Sequence, residues 1–426
     1  MKFYKKPIFT GFSPNLTWSD TAIACGFLFF PWKWRGLRKG VAPQKVETWL
    51  KEYFKTDNAF VFDSGRTALH YALKACGIKE GDEVLVQSYT CMVVSNAITW
   101  TGAKPIYVDV ENDFNMSADD LIAKISPKSK VLIIQHTFGK PANLDKLIAI
   151  AREYGLKIIE DCAHSFGAKH NGKLLGTFGD LAMFSFGSDK ILSCVRGGGV
   201  VTNNSEIAKK LQNFQSRLPL SRRLKVIQHL LHYPIFEKGK LLYNIRVGKY
   251  ILGISKKLNL INRIIYNPEK QGNQVLFYPS LLPNSLATIL LKQLETFEEI
   301  NKHRQEIAKL YNEKINNPKI TKPDWSDESI WLRYTLLTEN PSRLHTQAKK
   351  QGILLGNWYD QVIAPKDIDL EKSGYLKGSC PNAEQLSVQS INLPTNRHIA
   401  TKDAERIISI VNKYQYSISI ISKLVY

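Results

Sequence analysis

Phe184-Ser185-Phe186-Gly187-Ser188-Asp189-Lys190 ends an apolar run that begins at Leu181, and it leads into Arg196-Gly197-Gly198-Gly199-Val200-Val201. The run Leu181 to Phe186 reads as a buried strand, with Lys190 just past its carboxyl end. Upstream, Ile158-Ile159-Glu160-Asp161-Cys162-Ala163-His164 puts a carboxylate at the end of a second apolar run. Further upstream, Asp63-Ser64-Gly65-Arg66-Thr67-Ala68-Leu69 opens a helix with small residues. An amine, a carboxylate and a glycine-containing helix start thus stand at the ends of regular elements.

The pattern around these stretches alternates strand and helix from Val46 to about Asn213. Ala59–Phe62, Glu83–Val86, Pro105–Asp109, Val131–Ile134 and Lys157–Ile159 read as strands. Ala68, Leu69, Ala72, Leu73 and Cys76 form one helical face, which Gly77 ends. Ser117 reads as an N-cap, and Leu144 to Tyr154 as an amphipathic helix. Strands separated by helices predict a mainly parallel sheet covered on both faces. Ligands of such sheets bind beyond the carboxyl ends of the strands, the side to which Asp161 and Lys190 belong.

The 426 residues suffice for a large domain and a smaller companion, and 44% hydrophobic content supports a sizeable core. The division expected is an irregular N-terminal arm (1–45), a large domain (46–281) carrying an insert at 217–276, and a long helix with a small α/β domain (282–426). Within the last part, Leu286 to Leu310 reads as one long helix, Trp331 to Leu337 as a strand, and Ser342 to Gln351 and Ala404 to Tyr414 as helices. Ser417 to Tyr426 is apolar and alternating.

The net charge of +20 calls for an anionic partner or reflects a general basic bias. Residues 217–270 carry twelve Lys or Arg against two Glu, half of that excess. Apolar residues interleave with them, as in basic amphipathic helices on anionic membrane surfaces; the same pattern fits helices packed on the body with lysines outside. No nucleic-acid recognition motif accompanies the charge, so nucleic acid is not an expected partner. The six cysteines include no CxxC pair and no zinc spacing, which fits reduced thiols in a cytoplasmic protein without a bound metal. Ala22 to Trp32 is too short to span a bilayer.

A lysine, a strand-end carboxylate and a glycine-bearing helix start are what a pyridoxal phosphate (PLP) site requires. The lysine forms the Schiff base and later moves a proton. A buried Asp161 would keep the pyridinium nitrogen protonated. Unpaired N–H groups at Gly65 and Arg66, with the Arg66 fork and the Ser185 hydroxyl, suit the phosphate. His164 could bond the phenolic oxygen or lie against the ring. Each feature taken alone reads equally as a helix cap, a solvated lysine or a structural histidine.

Order and spacing together resemble the DegT/StrS family of PLP-dependent sugar aminotransferases. The blocks that carry this are Gly81-Asp82-Glu83-Val84, Gly102-Ala103-Lys104-Pro105, Phe138-Gly139-Lys140-Pro141-Ala142 and the Asp161 and Lys190 stretches. The match is looser through Leu282-Pro283-Asn284 and Cys380-Pro381-Asn382. The resemblance implies an α/β, aspartate-aminotransferase-like fold (PLP fold type I), with Lys190 as the Schiff-base lysine, Asp161 as the pyridinium partner, and Ser185, Gly65 and Arg66 on the phosphate. It also implies a homodimer that moves an amino group, glutamate being the expected donor, to a nucleotide-linked keto sugar in polysaccharide or glycan biosynthesis. Lys190 argues against the dehydratase relatives, which have His there.

Two departures stand out. Cys91 occupies the position of the family's ring-stacking aromatic, leaving Tyr89 and His164 as candidates for that role. Phe277-Tyr278-Pro279-Ser280 replaces the motif that carries a cross-subunit Asn. These departures leave open the alternative of a PLP-binding regulatory protein of the same fold. The basic insert would hold the substrate diphosphate or place the enzyme at the inner face of a membrane.

Overall fold

The computed structural model describes residues 7–415. Its centre is a seven-stranded sheet in the spatial order Asn58–Phe62, Gly198–Thr202, Leu181–Ser185, Lys157–Asp161, Ser129–Gln135, Glu83–Gln87, Lys104–Val108. From Leu181–Ser185 outward to Lys104–Val108 every neighbouring pair is parallel. Gly198–Thr202 alone runs the other way, against both of its neighbours.

Side chains alternate across the pleat, and both faces are apolar. Val61, Leu85, Leu132, Ile158, Ala182 and Phe184 belong to one core. Phe60, Val84, Val86, Val131, Ile133, Ile159 and Met183 belong to the other. The first is covered by α2 (Ala42–Phe54) through Val46, Leu50 and Phe54, and by α6 (Leu144–Glu153). The second is covered by α3 (Gly65–Ala75), α4 (Met92–Thr99) and α7 (Ser205–Ser216). A fully buried Leu or Phe contributes roughly 1.5–3 kcal/mol, so the two layers together hold the strand ends in register.

The N-terminal arm is more regular than its composition implies. Trp18–Phe29 forms α1, opened by a capping box in which Asp20 N–H donates to Thr17 Oγ1 (3.1 Å) and Thr17 N–H donates to Asp20 Oδ2 (3.0 Å). Aromatic crowding masked that start. Ile8–Phe9 pairs in parallel with Ile353–Leu354, so the arm is tied to the C-terminal part of the chain.

The expected helix Leu286–Leu310 is two, Asn284–Leu294 and Phe297–Lys314. Thr296 leaves helical geometry between them, while both segments bury an apolar face, so the pattern runs through the break. The strand expected from Trp331 begins at Arg333, because Trp331 sits in the left-handed region (φ 50°). Ser117 precedes α5 (Ala118–Lys124) without a side-chain cap bond. Arg333–Leu337 pairs antiparallel with Ser390–Pro394. Ser417 to Tyr426 lies outside the described residues.

The basic insert contains α8 (Arg223–Leu241) and α9 (Val247–Lys257). Val226, Leu230, Tyr233 and Phe236 pack α8 into the main core, next to α1. That is the packed reading of the amphipathic pattern. In α9 it holds only in part: Leu252 is buried, while Val247, Tyr250 and Ile254, and Leu258 just past its end, face solvent. No helix among the described residues is long and apolar enough to cross a membrane.

His232 of α8 is buried, donates to or accepts from the Ser13 hydroxyl (2.6 Å) and stacks on Phe236. Burial, with Lys240 nearby, pushes it down to about 3. Its folded value lies below the unfolded one, so below pH 6.5 the unfolded chain takes up a proton that the folded chain refuses, and stability falls with acidification. From pH 7 to 5 this amounts to roughly 2 kcal/mol. His232→Gln is expected to lower by about that amount the loss measured by chemical denaturation over this range. An unchanged pH dependence would contradict the burial of a neutral imidazole.

Candidate active site

Strand Asn58–Phe62 delivers Asp63, Ser64 and Gly65 to the carboxyl edge of the sheet. Ser64 caps α3 by accepting from Thr67 N–H (3.3 Å). Asp63 is fixed beneath it, accepting from the hydroxyls of Ser64 (3.2 Å), Thr67 (2.6 Å) and Ser280 (2.8 Å). The first N–H groups of α3 have no partner within the helix and carry its positive end. Two glycines permit this arrangement. A Cβ on Gly65 would lie 2.7 Å from Ser185 Cβ, and one on Gly198 would lie 2.4 Å from the Ser64 carbonyl oxygen.

Asp161 ends its strand in register with Met183 on the parallel neighbour. Its Oδ1 accepts from Ala163 N–H (3.0 Å). Burial pushes the carboxyl up, and Lys190 and His136 draw it partly back. Burial likewise brings the Lys190 ammonium down to about 8, opposed by Asp161 and Cys91. Its Nζ stands 5.2 Å from the centre of the Trp358 ring, whose environment also includes the Arg333 guanidinium at 3.5 Å. Burial keeps His164 neutral, with Lys190 and Arg333 adding to the effect. Its ring is stacked with Phe138 and Trp358, its Nδ1 accepts from Phe138 N–H (3.4 Å), and its Nε2 faces the Tyr359 hydroxyl (3.3 Å). Burial raises the Cys91 thiol, which holds it in the protonated form.

All seven residues singled out from sequence, Gly65, Arg66, Cys91, Asp161, His164, Ser185 and Lys190, line one cavity of about 1050 Å³. Tyr89 does not. It is fully buried, with its hydroxyl against Ser390 and the Tyr359 backbone, whereas the rings of His164 and Trp358 do line the cavity. The Arg66 guanidinium is turned to the insert: it pairs with Glu269 and donates to the Ile264 carbonyl (2.6 Å) and the Tyr278 hydroxyl (3.1 Å). What the α3 turn offers an anion is therefore chiefly backbone N–H.

Sequence reasoning missed Trp358 and Tyr359, which lie in a stretch without clear periodicity, and Arg333, which stood in the expected strand Trp331–Leu337 but was not read as a site group. It also missed Arg196, which stood in the quoted motif but was not read as a site group. The insert forms one side of the cavity through Phe236, Lys249, Leu252, Lys256 and Arg263. Close by, His136, Glu160 and Cys162 approach one another, but Glu160 already accepts from the backbone N–H groups of Gly176, Phe178 and Gly179. That trio braces the strand end.

The family model described as DegT/DnrJ/EryC1/StrS aminotransferase family matches residues 33–226 and 265–412. The unmatched segment between them holds most of α8 and all of α9. The chain is 28% identical to GDP-perosamine synthase of Escherichia coli O157:H7, over 88% of this chain and 91% of that protein. It is 40% identical to the UDP-N-acetyl-3-dehydro-alpha-D-glucosamine 3-aminotransferase of Acidithiobacillus ferrooxidans, over 36% of this chain and 42% of that protein. Among solved structures, S. venezuelae DesV in complex with a ketimine intermediate is similar, with a TM-score of 0.71, 25% identity and coverage of 94% of this chain and 98% of that one.

Gly65→Ala is expected to cost roughly 1–3 kcal/mol, since Ser185 or the start of α3 must move. Gly253→Ala, in α9 with open space around the added methyl, is expected to gain up to about 1 kcal/mol. Equilibrium denaturation of both variants checks the contrast.

Proposed function

As the chain belongs to the DegT/DnrJ/EryC1/StrS aminotransferase family, whose aminotransferases depend on PLP, we propose that it is a PLP-dependent transaminase acting on a nucleotide-linked keto sugar. The observation that carries this reading is the shared cavity of Lys190 and Asp161, with the α3 helix start in the same wall. The residues fit the cofactor on two physical grounds. A methyl at Gly65 would fill the cradle between α3 and Ser185, so the cradle is kept open. Among the described residues, the buried Asp161 carboxylate has a single hydrogen-bond donor, Ala163 N–H, against one oxygen.

When bound, PLP supplies a protonated pyridine ring that draws electrons from a carbon bearing an amino group. The chain's own groups would do the rest. Asp161 holds the proton on the ring nitrogen. The N–H groups at Gly65 and Arg66, with the Ser185 hydroxyl, hold the phosphate. His164 supports the ring or its phenolic oxygen. Lys190 anchors the cofactor covalently and, as a free amine, moves a proton at the substrate's α-carbon. An amine at about 8 is more available for that task near neutral pH than an ordinary lysine.

The relatives' names support a nucleotide-linked keto sugar as acceptor, and the reaction is proposed as a step of glycan biosynthesis. Glutamate is the proposed donor and a homodimer the proposed assembly. The exposed apolar side of α9, with Lys257 in its last turn, supports peripheral contact with an anionic membrane surface.

Borohydride treatment of the PLP-loaded protein, followed by peptide mass spectrometry, is expected to find the cofactor fixed to Lys190 and absent from Lys190→Ala. Glutamate should yield 2-oxoglutarate stoichiometric with protein. A loaded protein that yields none would overturn the transaminase reading in favour of a binding protein. Capture of PLP by the unloaded protein is expected to speed up about tenfold per pH unit below pH 8 and level off above it, because the free Lys190 ammonium must shed its proton before it can attack the aldehyde. A flat profile would remove Lys190 as the attacking amine.

A further inference from the structure

Arg196 enters the cavity wall between the Lys190 loop and strand Gly198–Thr202. It is 5% exposed. A cation so deeply placed is normally matched by a carboxylate. Among the described residues Arg196 has no such match, and its Nη2 has no hydrogen-bond partner. The carboxylate whose charge acts on it, Asp63, is already engaged by three hydroxyls. What Arg196 does touch is aromatic: it donates to the Tyr278 hydroxyl, and its guanidinium lies 4.5 Å from the Tyr278 ring centre and 5.9 Å from that of Tyr266.

Other cations crowd the same place. Arg66 stands 5.5 Å from the same Tyr278 ring. Lys225 lies 5.0 Å from Tyr266 and 4.0 Å from Phe277. Glu269 offsets Arg66, and the positive end of α3 adds to the sum. Arg196 weakens its neighbours' hold on their protons, acting against both Arg66 and Lys225. Like charges held together under burial repel strongly unless an anion sits among them. The cavity side, where Ser64, Gly65 and Ser185 line the wall with Arg196, is where such an anion can reach them.

We propose that Arg196 is the principal side-chain ligand of the cofactor's phosphate, facing the α3 N–H groups across the same pocket. This rests on the PLP reading above. It assigns to a single residue of the glycine-rich turn the counter-charge that Arg66, spent on Glu269, does not supply. A guanidinium fork matches phosphate geometry with two parallel donors, which an ammonium cannot reproduce.

The test compares the full chain with Arg196→Gln and Arg196→Lys, titrating each with PLP and with pyridoxal, which has no phosphate, by absorbance. Arg196→Gln is expected to weaken PLP at least about tenfold and to leave pyridoxal affinity unchanged, with Arg196→Lys in between. Inorganic phosphate should raise the melting temperature of the wild-type protein and not that of Arg196→Gln. Equal losses for PLP and pyridoxal, or no loss for either, overturn the assignment and leave the cofactor reading standing. A wild-type protein that takes up neither compound overturns the cofactor reading, and the assignment with it.

Discussion

Burial acts in opposite senses on the two groups that face each other across the cavity, and their mutual attraction only partly restores them. Lys190 alone would tend to lose its proton and Asp161 alone would tend to keep one. Each holds the other closer to its charged form, which makes both responsive to whatever enters between them. The sheet enforces this pairing. Asp161 and Ser185 end adjacent parallel strands, so the spacing of the two walls is set by backbone hydrogen bonds rather than by flexible side chains.

The large sheet could be read in the sequence because its strands are short apolar runs and its helices have one apolar face. Those are local signals, and Asp161, Ser185, Gly65 and Lys190 inherited their positions from them. Other parts depended on contacts distant in the chain. Tyr89 lies two residues before Cys91 in sequence yet points into the core, because Tyr359 and Ser390 claim its hydroxyl. Arg66 reads as a phosphate fork until Glu269, more than two hundred residues away, takes it. Trp358 gains meaning only when Lys190 and Arg333 are seen beside its ring. The break at Thr296 escaped because both helices around it bury apolar faces in phase.

The insert shows how a segment outside the family pattern becomes part of the site. α8 is anchored by large apolar residues in the main core, and α9 is held to it through Leu252, which packs against Gly239. A Cβ at Gly248 would lie 2.0 Å from the Gly239 carbonyl oxygen, so the two helices meet at backbone contact. This close seam carries Lys249 and Lys256 to the cavity while leaving Tyr250 and Ile254 on the opposite side. One short helix thereby presents different chemistry to the reaction chamber and to the outside.

Strand Asn58–Phe62 has a single partner in the sheet, Gly198–Thr202, which is synthesised some 140 residues later. Parallel neighbours nearer in sequence can assemble first, but this edge cannot close until the glycine-rich turn has left the ribosome. Contacts of such long separation are slow to form. The turn at Ser64 and Gly65 is therefore completed late, and the wall it shares with Ser185 and Lys190 cannot form until translation has passed the glycine-rich turn.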